Sequence, residues 1–315
     1  RLNQKTVCYV NVGGTAPSIL PDMYADEDSA YEYVSLKYKK GINPGEEISY
    51  CIKIPAVDRP EKMAYGQPFR YTTRKPGQPL DEQKVNNIRA MAQKVTGSEM
   101  IDMVRKYWDT ILPSATLINV PDKATMDLYK ASLAYLYILR IPAEDGKSLV
   151  TGGGGPLFYY DFSERDSGYE ILSFAYNGLK KEVEQLLETY LTPREKLNDK
   201  RWELGQWKDG MWMTREHEED TQGQVLWLLG ENWLLYRDKA WLTKAYPYIK
   251  KGVDYIVDKR KEYMKDKVSR DDPRFGLWLA GFDESSSFGQ MSHTYYFYYW
   301  IEIGLRTGIF CAEAM

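Results

Sequence analysis

Two kinds of helix alternate through the second half of this chain, and that alternation is the tightest constraint on its fold. Residues 167–176, with Tyr169, Ile171, Leu172, Phe174 and Ala175, are apolar on most sides. So are 221–236, with Val225, Leu226, Trp227, Leu228 and Leu229, and 292–309, with Tyr295, Phe297, Trp300, Ile301 and Ile303. Between them lie helices with a single apolar stripe. Residues 179–191 carry Leu179, Val183, Leu186, Leu187 and Tyr190, and a later helix carries Leu242, Tyr246, Ile249, Val253 and Ile256. A helix apolar all round must be buried, whereas a striped one lies outside. Inner and outer helices in turn predict concentric layers of helical hairpins.

Each inner helix follows a loop rich in carboxylates and aromatic rings. The loops are Tyr159-Tyr160-Asp161-Phe162-Ser163-Glu164-Arg165-Asp166, Glu218-Glu219-Asp220-Thr221-Gln222-Gly223-Gln224 and Ala280-Gly281-Phe282-Asp283-Glu284-Ser285. Carboxylates at the same end of successive inner helices converge on one pocket if those helices pack side by side. Such a pocket suits acid/base chemistry on a polyhydroxylated substrate. The 26 Tyr and 9 Trp residues fit that chemistry too, because flat rings with a polar tip pack on sugar faces.

The first 75 residues read differently. Val7, Tyr9 and Asn11 alternate with Cys8, Val10 and Val12, and a second strand follows at 33–38. After the turn Asn43-Pro44-Gly45-Glu46, Ile48, Tyr50, Ile52 and Ile54 share one face of a third strand, the period-2 pattern of a half-buried sheet. Six prolines and glycines between 59 and 80 mark a linker or extended arm. Helices are expected at about 81–95 and 98–112, the second with Ile101, Val104, Tyr107 and Trp108 on one stripe, and another at about 123–140.

Composition narrows the function classes. With 315 residues, 43% hydrophobic and 28% charged, the chain is an ordinary globular protein of roughly two domains. A net charge of −3 without a dense basic patch argues against nucleic acid as a partner. No apolar run approaches the ~18 residues of a membrane span. Three scattered cysteines supply neither a disulfide framework nor a zinc site, and only His217 and His293 are histidines. No metal or cofactor is therefore expected, and His293 is expected to be structural. The glycines at 152–155 lack the Gly-Lys-Ser/Thr ending of a phosphate loop and read as a lip of the cleft. The chain begins at Arg1 without a signal peptide, so either a leader has been removed or the chain is trimmed. Localisation stays open, with secreted or periplasmic favoured over cytoplasmic.

Several segments carry a resemblance when taken in order. They are Tyr107-Trp108, Val120-Pro121-Asp122, Glu164-Arg165-Asp166-Ser167-Gly168-Tyr169, Asp220-Thr221-Gln222-Gly223-Gln224-Val225-Leu226-Trp227, Arg237-Asp238-Lys239-Ala240-Trp241-Leu242, and Phe275-Gly276-Leu277-Trp278 through Phe282-Asp283-Glu284 to Ser292-His293-Thr294-Tyr295. The series resembles the six-hairpin, (α/α)6-barrel glycoside hydrolases, the glucoamylase-like group with its trehalase and glucosidase relatives. The likeness covers about residues 105–315, and residues 1–75 look like the β-sandwich that often precedes this barrel. It implies a mainly α fold with an N-terminal β region: a partial β-sandwich over 1–75, linker and helices over 76–118, and the first half of an (α/α)6 barrel, about six helices, over 119–315.

The resemblance also implies roles. Arg165 and Asp166 would grip the terminal sugar, Asp220 and Gln222 would bind substrate, and Trp278 and Trp207 would stack on it. Glu284 would be the general acid, with Asp283 its competitor in the same loop. Inverting hydrolysis of an α-linked oligosaccharide or polysaccharide needs a second carboxylate roughly 6.5–9.5 Å away to activate water. In the family it comes from a late inner-helix loop, which this sequence lacks. The chain alone is thus expected to be inactive, and a further segment or chain completing the barrel, or self-association, is expected along the last inner helix. A non-catalytic carbohydrate-binding or structural protein and an inverting phosphorylase are the alternatives. Plainer readings stand beside these. Asp166 and Asp220 sit where a helix N-terminus stabilises any carboxylate, and tryptophans usually pack. An arginine reserved for a ligand is expected to be replaceable with little loss of stability.

Overall fold

The computed structural model describes residues 9–12, 23–25, 32–34, 43–45, 50–53, 83, 86, 87, 90, 91, 94–112, 115, 118–142, 149–151, 162–193, 205–212, 218–266, 269–282 and 291–315. These are mainly helical. The chain divides into two compact units, Arg1–Asp109 and Thr110–Met315.

In the first unit, β1 (Tyr9–Val12) pairs antiparallel with β4 (Tyr50–Lys53), Tyr9 standing opposite Lys53 and Val12 opposite Tyr50. β2 (Met23–Ala25) pairs antiparallel with β3 (Glu32–Val34). β1, β3 and β4 fall on the segments read as strands and β2 was not expected, while Gly45 takes φ +86° in the turn before β4, a conformation that favours glycine. The ends of the strands expected at 33–38 and 48–54 lie outside the described residues. Residues 83, 86, 87, 90, 91 and 94 are helical, within the first expected helix. Next comes α1 (Gly97–Ile111). Thr96 and Glu99 cap it reciprocally: the Thr96 N–H donates to the Glu99 carboxylate at 2.7 Å, and the Glu99 N–H to Thr96 Oγ1 at 3.3 Å. Its expected apolar stripe is not buried; Ile101, Val104 and Tyr107 are exposed.

The second unit holds α2 (Lys123–Leu139), the hairpin β5 (Arg140–Pro142) and β6 (Leu149–Thr151), α3 (Glu164–Tyr176), α4 (Lys180–Leu187), α5 (Thr221–Tyr236), α6 (Lys239–Asp266) and α7 (Tyr295–Ala314). Asp122 caps α2 by accepting from the Thr125 N–H at 2.8 Å. Asn177-Gly178 ends α3: Gly178 takes φ +74°, and the N–H groups of Gly178 and Leu179 return to the carbonyls of Ala175 and Phe174. α3 and α4 pack as a hairpin, α5 packs between α3 and α7, and α6 covers α5 and α7. α5, read from its apolar pattern as an inner helix, is thus enclosed by α3, α6 and α7. α5 is buried over most of its length, Leu226 and Leu229 having no exposed surface, while Leu234 and Leu235 near its end are exposed.

α5 and α7 approach as closely as helices can. A Cβ on Gly223 would lie 2.1 Å from the Trp300 carbonyl oxygen, and one on Gly304 would lie 3.0 Å from the Gly223 Cα. Only glycine permits backbones to touch in this way. The contact fixes the start of α5 against the first turns of α7, which positions the site described next. The opposite side of α7 is bare: Tyr295, Tyr299 and Ile309 are exposed. α7 is therefore apolar nearly all round yet covered on one side only. Among the described residues, no helix is long and apolar enough to cross a membrane.

Candidate functional site

Helices α3, α5 and α7 bring their N-terminal ends to one place. Arg165 is the second residue of α3, and Asp220 stands immediately before α5. The Arg165 guanidinium reaches across: Nε lies 3.0 Å from Asp220 Oδ2, and Nη2 donates to Oδ1 at 3.2 Å. Glu218 Oε1 is 3.7 Å from the same Nη2. Asp220 also accepts from Gln224 Nε2 at 2.6 Å, and that amide lies 3.2 Å from the Tyr296 hydroxyl on α7. One buried carboxylate thus ties three inner helices together.

Its electrostatics follow from depth. Asp220 is fully buried and Arg165 is 8% exposed. Burial pushes the Asp220 carboxyl upward, and the Arg165 guanidinium pulls back only part of that rise. Tyr296 is pushed up to about 12, first by burial and then by the Asp220 charge. Tyr169, one helical turn after Arg165 on the same face of α3, is raised for the same two reasons. Around this floor runs an arc of rings. The Tyr169 and Trp227 centroids are 5.8 Å apart, Trp227 and Trp300 5.2 Å, and Trp300 and Tyr296 6.4 Å. Asp166, Tyr169 and Tyr296 form its exposed rim.

The residues singled out in the sequence meet different fates. Arg165 and Asp220 come together, and Asp166 stands beside them, exposed in the first turn of α3. The expectation that Arg165 is free of structural duty is corrected, because its guanidinium neutralises a carboxylate that has no access to water. Gln222 is buried. Its Oε1 accepts from the Trp212 N–H at 2.8 Å, and its Nε2 donates to the carbonyls of Gly210 and Gly252 at 3.1 and 3.0 Å. Both donor hydrogens are spent on backbone, so Gln222 stitches chain segments rather than meeting a ligand. Trp278 is 3% exposed and offers no open ring face, while Trp207 is 37% exposed in the turn closed by the Gly210 N–H and Trp207 carbonyl. Asp283 and Glu284 lie outside the described residues, as do the glycines at 152–155 and His217.

Glu219 was missed as a candidate. It is 6% exposed, and its Oε2 accepts from the Trp278 indole N–H at 3.1 Å. Burial raises its carboxyl to about 7; the indole and Lys259 oppose the shift, and neighbouring Asp220 adds to it. Tyr169 could have been found by its four-residue spacing from Arg165. Tyr296 and Gln224 carry no such signal, since their place depends on how α5 and α7 pack. Among the described residues, no group of three or more His, Cys, Asp or Glu could hold a metal ion.

No family model matches the chain, and no curated protein or solved structure matches it.

Proposed function

We propose that the chain acts on carbohydrate, as part of a six-hairpin glycoside hydrolase that cleaves α-linked oligosaccharide with inversion. The observation that carries this reading is the convergence of Arg165, Asp166, Glu218 and Asp220 at the aligned ends of α3 and α5, beside the exposed rings of Tyr169 and Tyr296. A sugar needs acceptors for its hydroxyls and a flat apolar surface for its C–H face, and this rim supplies both. Asp166 is the acceptor with open access. Arg165 keeps its guanidinium fixed on Asp220 and so holds the floor beneath that acceptor. Proton donation falls to Glu284, with Asp283 its neighbour in sequence. The (α/α)6 arrangement, the β-sandwich ahead of it and further helices bringing the catalytic base belong to the same proposal.

A second reading is a carbohydrate-binding protein without turnover. It is favoured by Asp220 itself, whose oxygens are taken up by Arg165 and Gln224 and are closed to water.

Titration with glucose and with α-linked oligosaccharides, followed by NMR, tests the common part of both. Saturable binding is expected, and Asp166→Ala should weaken it by about tenfold or more, as for a hydrogen bond to a charged group, with an unchanged melting temperature. No saturable binding, or equal affinity in Asp166→Ala, sinks the assignment. Turnover of α-linked oligosaccharide, measured with and without a segment supplying the proposed further helices, separates the two readings.

A further inference from the structure

The segment that leads toward Asp283 and Glu284 is held by contacts that converge on one tryptophan, Trp278. The backbones of Gly281 and Ser292 pair antiparallel, N–H to carbonyl in both directions at 3.1 and 3.0 Å. Three residues before Gly281, Trp278 is gripped on every polar group. Its indole N–H donates to Glu219 at 3.1 Å. Its backbone N–H donates to the Tyr298 hydroxyl on α7, and its carbonyl accepts from His293 Nδ1 at 2.7 Å. A carbonyl only accepts, so Nδ1 of His293 carries its proton, and Nε2 faces the Tyr263 hydroxyl of α6 at 3.4 Å.

We propose that Glu219 is a positioning residue whose carboxyl, through the Trp278 indole, fixes the Gly281–Ser292 backbone bridge relative to the Arg165–Asp220 floor. Glu219 and Asp220 are consecutive, so one turn of backbone holds the bridge with one side chain and the floor with the next. Tyr298 and His293 are themselves fixed to α7 or its approach. Glu219 joins Trp278 directly to the turn before α5, whereas Tyr298 reaches α5 only through α7. A role for this bridge in proton donation rests on the glycosidase reading. The positioning itself rests only on the contacts named.

Charges bearing on this contact are Asp220 on the same turn, Lys259 and Tyr255 on α6, and, at the far end of Trp278, His293 with Asp272 near it. Because the Glu219 carboxyl ionises near neutrality, the indole N–H facing it reports the change directly. In ¹⁵N-labelled protein, the Trp278 indole resonance, assigned by its loss in Trp278→Phe, should shift on raising the pH through about 7. That shift should vanish in Glu219→Gln, which keeps an acceptor but no ionisation. Hydrogen exchange of the paired Gly281 and Ser292 amides should quicken about tenfold in Glu219→Ala, the change expected for losing one buried hydrogen bond, and should return to the wild-type rate in Glu219→Gln. A titration that persists in Glu219→Gln belongs to another group and overturns the assignment. Unchanged exchange in Glu219→Ala overturns it as well. These outcomes need no saccharide, so they fail or succeed separately from the sugar titration.

Discussion

Replacing Arg165 by alanine should destabilise the second unit by about 3–5 kcal/mol at neutral pH, the range for removing one partner of a buried ion pair. Loss of Arg165 contacts is the smaller part of that figure. Most of it comes from Asp220, which stays fully buried with its countercharge gone. Gln224 still donates to it, but a neutral amide does not replace a guanidinium. The carboxyl should then take up a proton, because burial already pushes it upward and the Arg165 charge no longer opposes this. The deficit should therefore shrink as the pH falls. Urea unfolding at pH 7 and at about pH 4 measures both effects. The double variant Arg165→Ala/Asp220→Asn should recover much of the loss. A neutral-pH deficit below about 0.5 kcal/mol would mean that water reaches Asp220 and that the pair is not buried in solution.

Glu219→Gln should have the opposite sign. The folded Glu219 carboxyl titrates at about 7, above the 4.5 of an unperturbed glutamate. A raised carboxyl contributes fully while both states are protonated, below about 4.5. Its contribution is lost as the pH rises through the folded value, because the unfolded chain ionises first. Wild-type stability should thus fall across the window from about 4.5 to 7 at up to about 1.4 kcal/mol per pH unit from this group. The glutamine variant lacks that fall and keeps an acceptor for the Trp278 indole. It should match wild type near pH 4 and exceed it by about 2–3 kcal/mol at pH 8. Parallel stability curves for the two proteins across that range would refute the assignment of the titration to Glu219.

Much of the fold was legible because it depends on periodicity. The bounds of α5 read from its apolar run are those found, and Asn177-Gly178 marked the turn after α3 through chemistry local to two residues. Layering was legible only in part: α5 is buried over most of its length, whereas α7, apolar nearly all round, is covered on one side only. Pairings between distant residues were not legible. Arg165 and Asp220 are 55 positions apart, and nothing in either loop says that one neutralises the other. Trp278 looked like a sugar platform because a loop tryptophan next to carboxylates has the right composition; burial of its ring depends on α5 and α7, which the loop does not encode. Glu219 was passed over for the same reason, as its perturbation arises from depth and not from its neighbours in sequence. The apolar stripe of α1 had the periodicity of a packed helix without the burial, which periodicity alone cannot supply.

At Gln222 the difference between an amide and an acid is one of direction. Its two N–H groups point at the carbonyls of Gly210 and Gly252, so a carboxylate in its place would set acceptor against acceptor at both. Glutamine hydrolyses slowly to glutamate wherever water can reach it, and in the folded chain only 1% of Gln222 is exposed. Chemical ageing at this position is therefore confined to moments when the chain is open. A molecule aged there cannot close again on the same bonds, which makes Gln222 a one-way valve between native and lost protein. Peptide mapping of a heat-aged sample should find glutamate at 222 in the aggregated fraction and not in the soluble one.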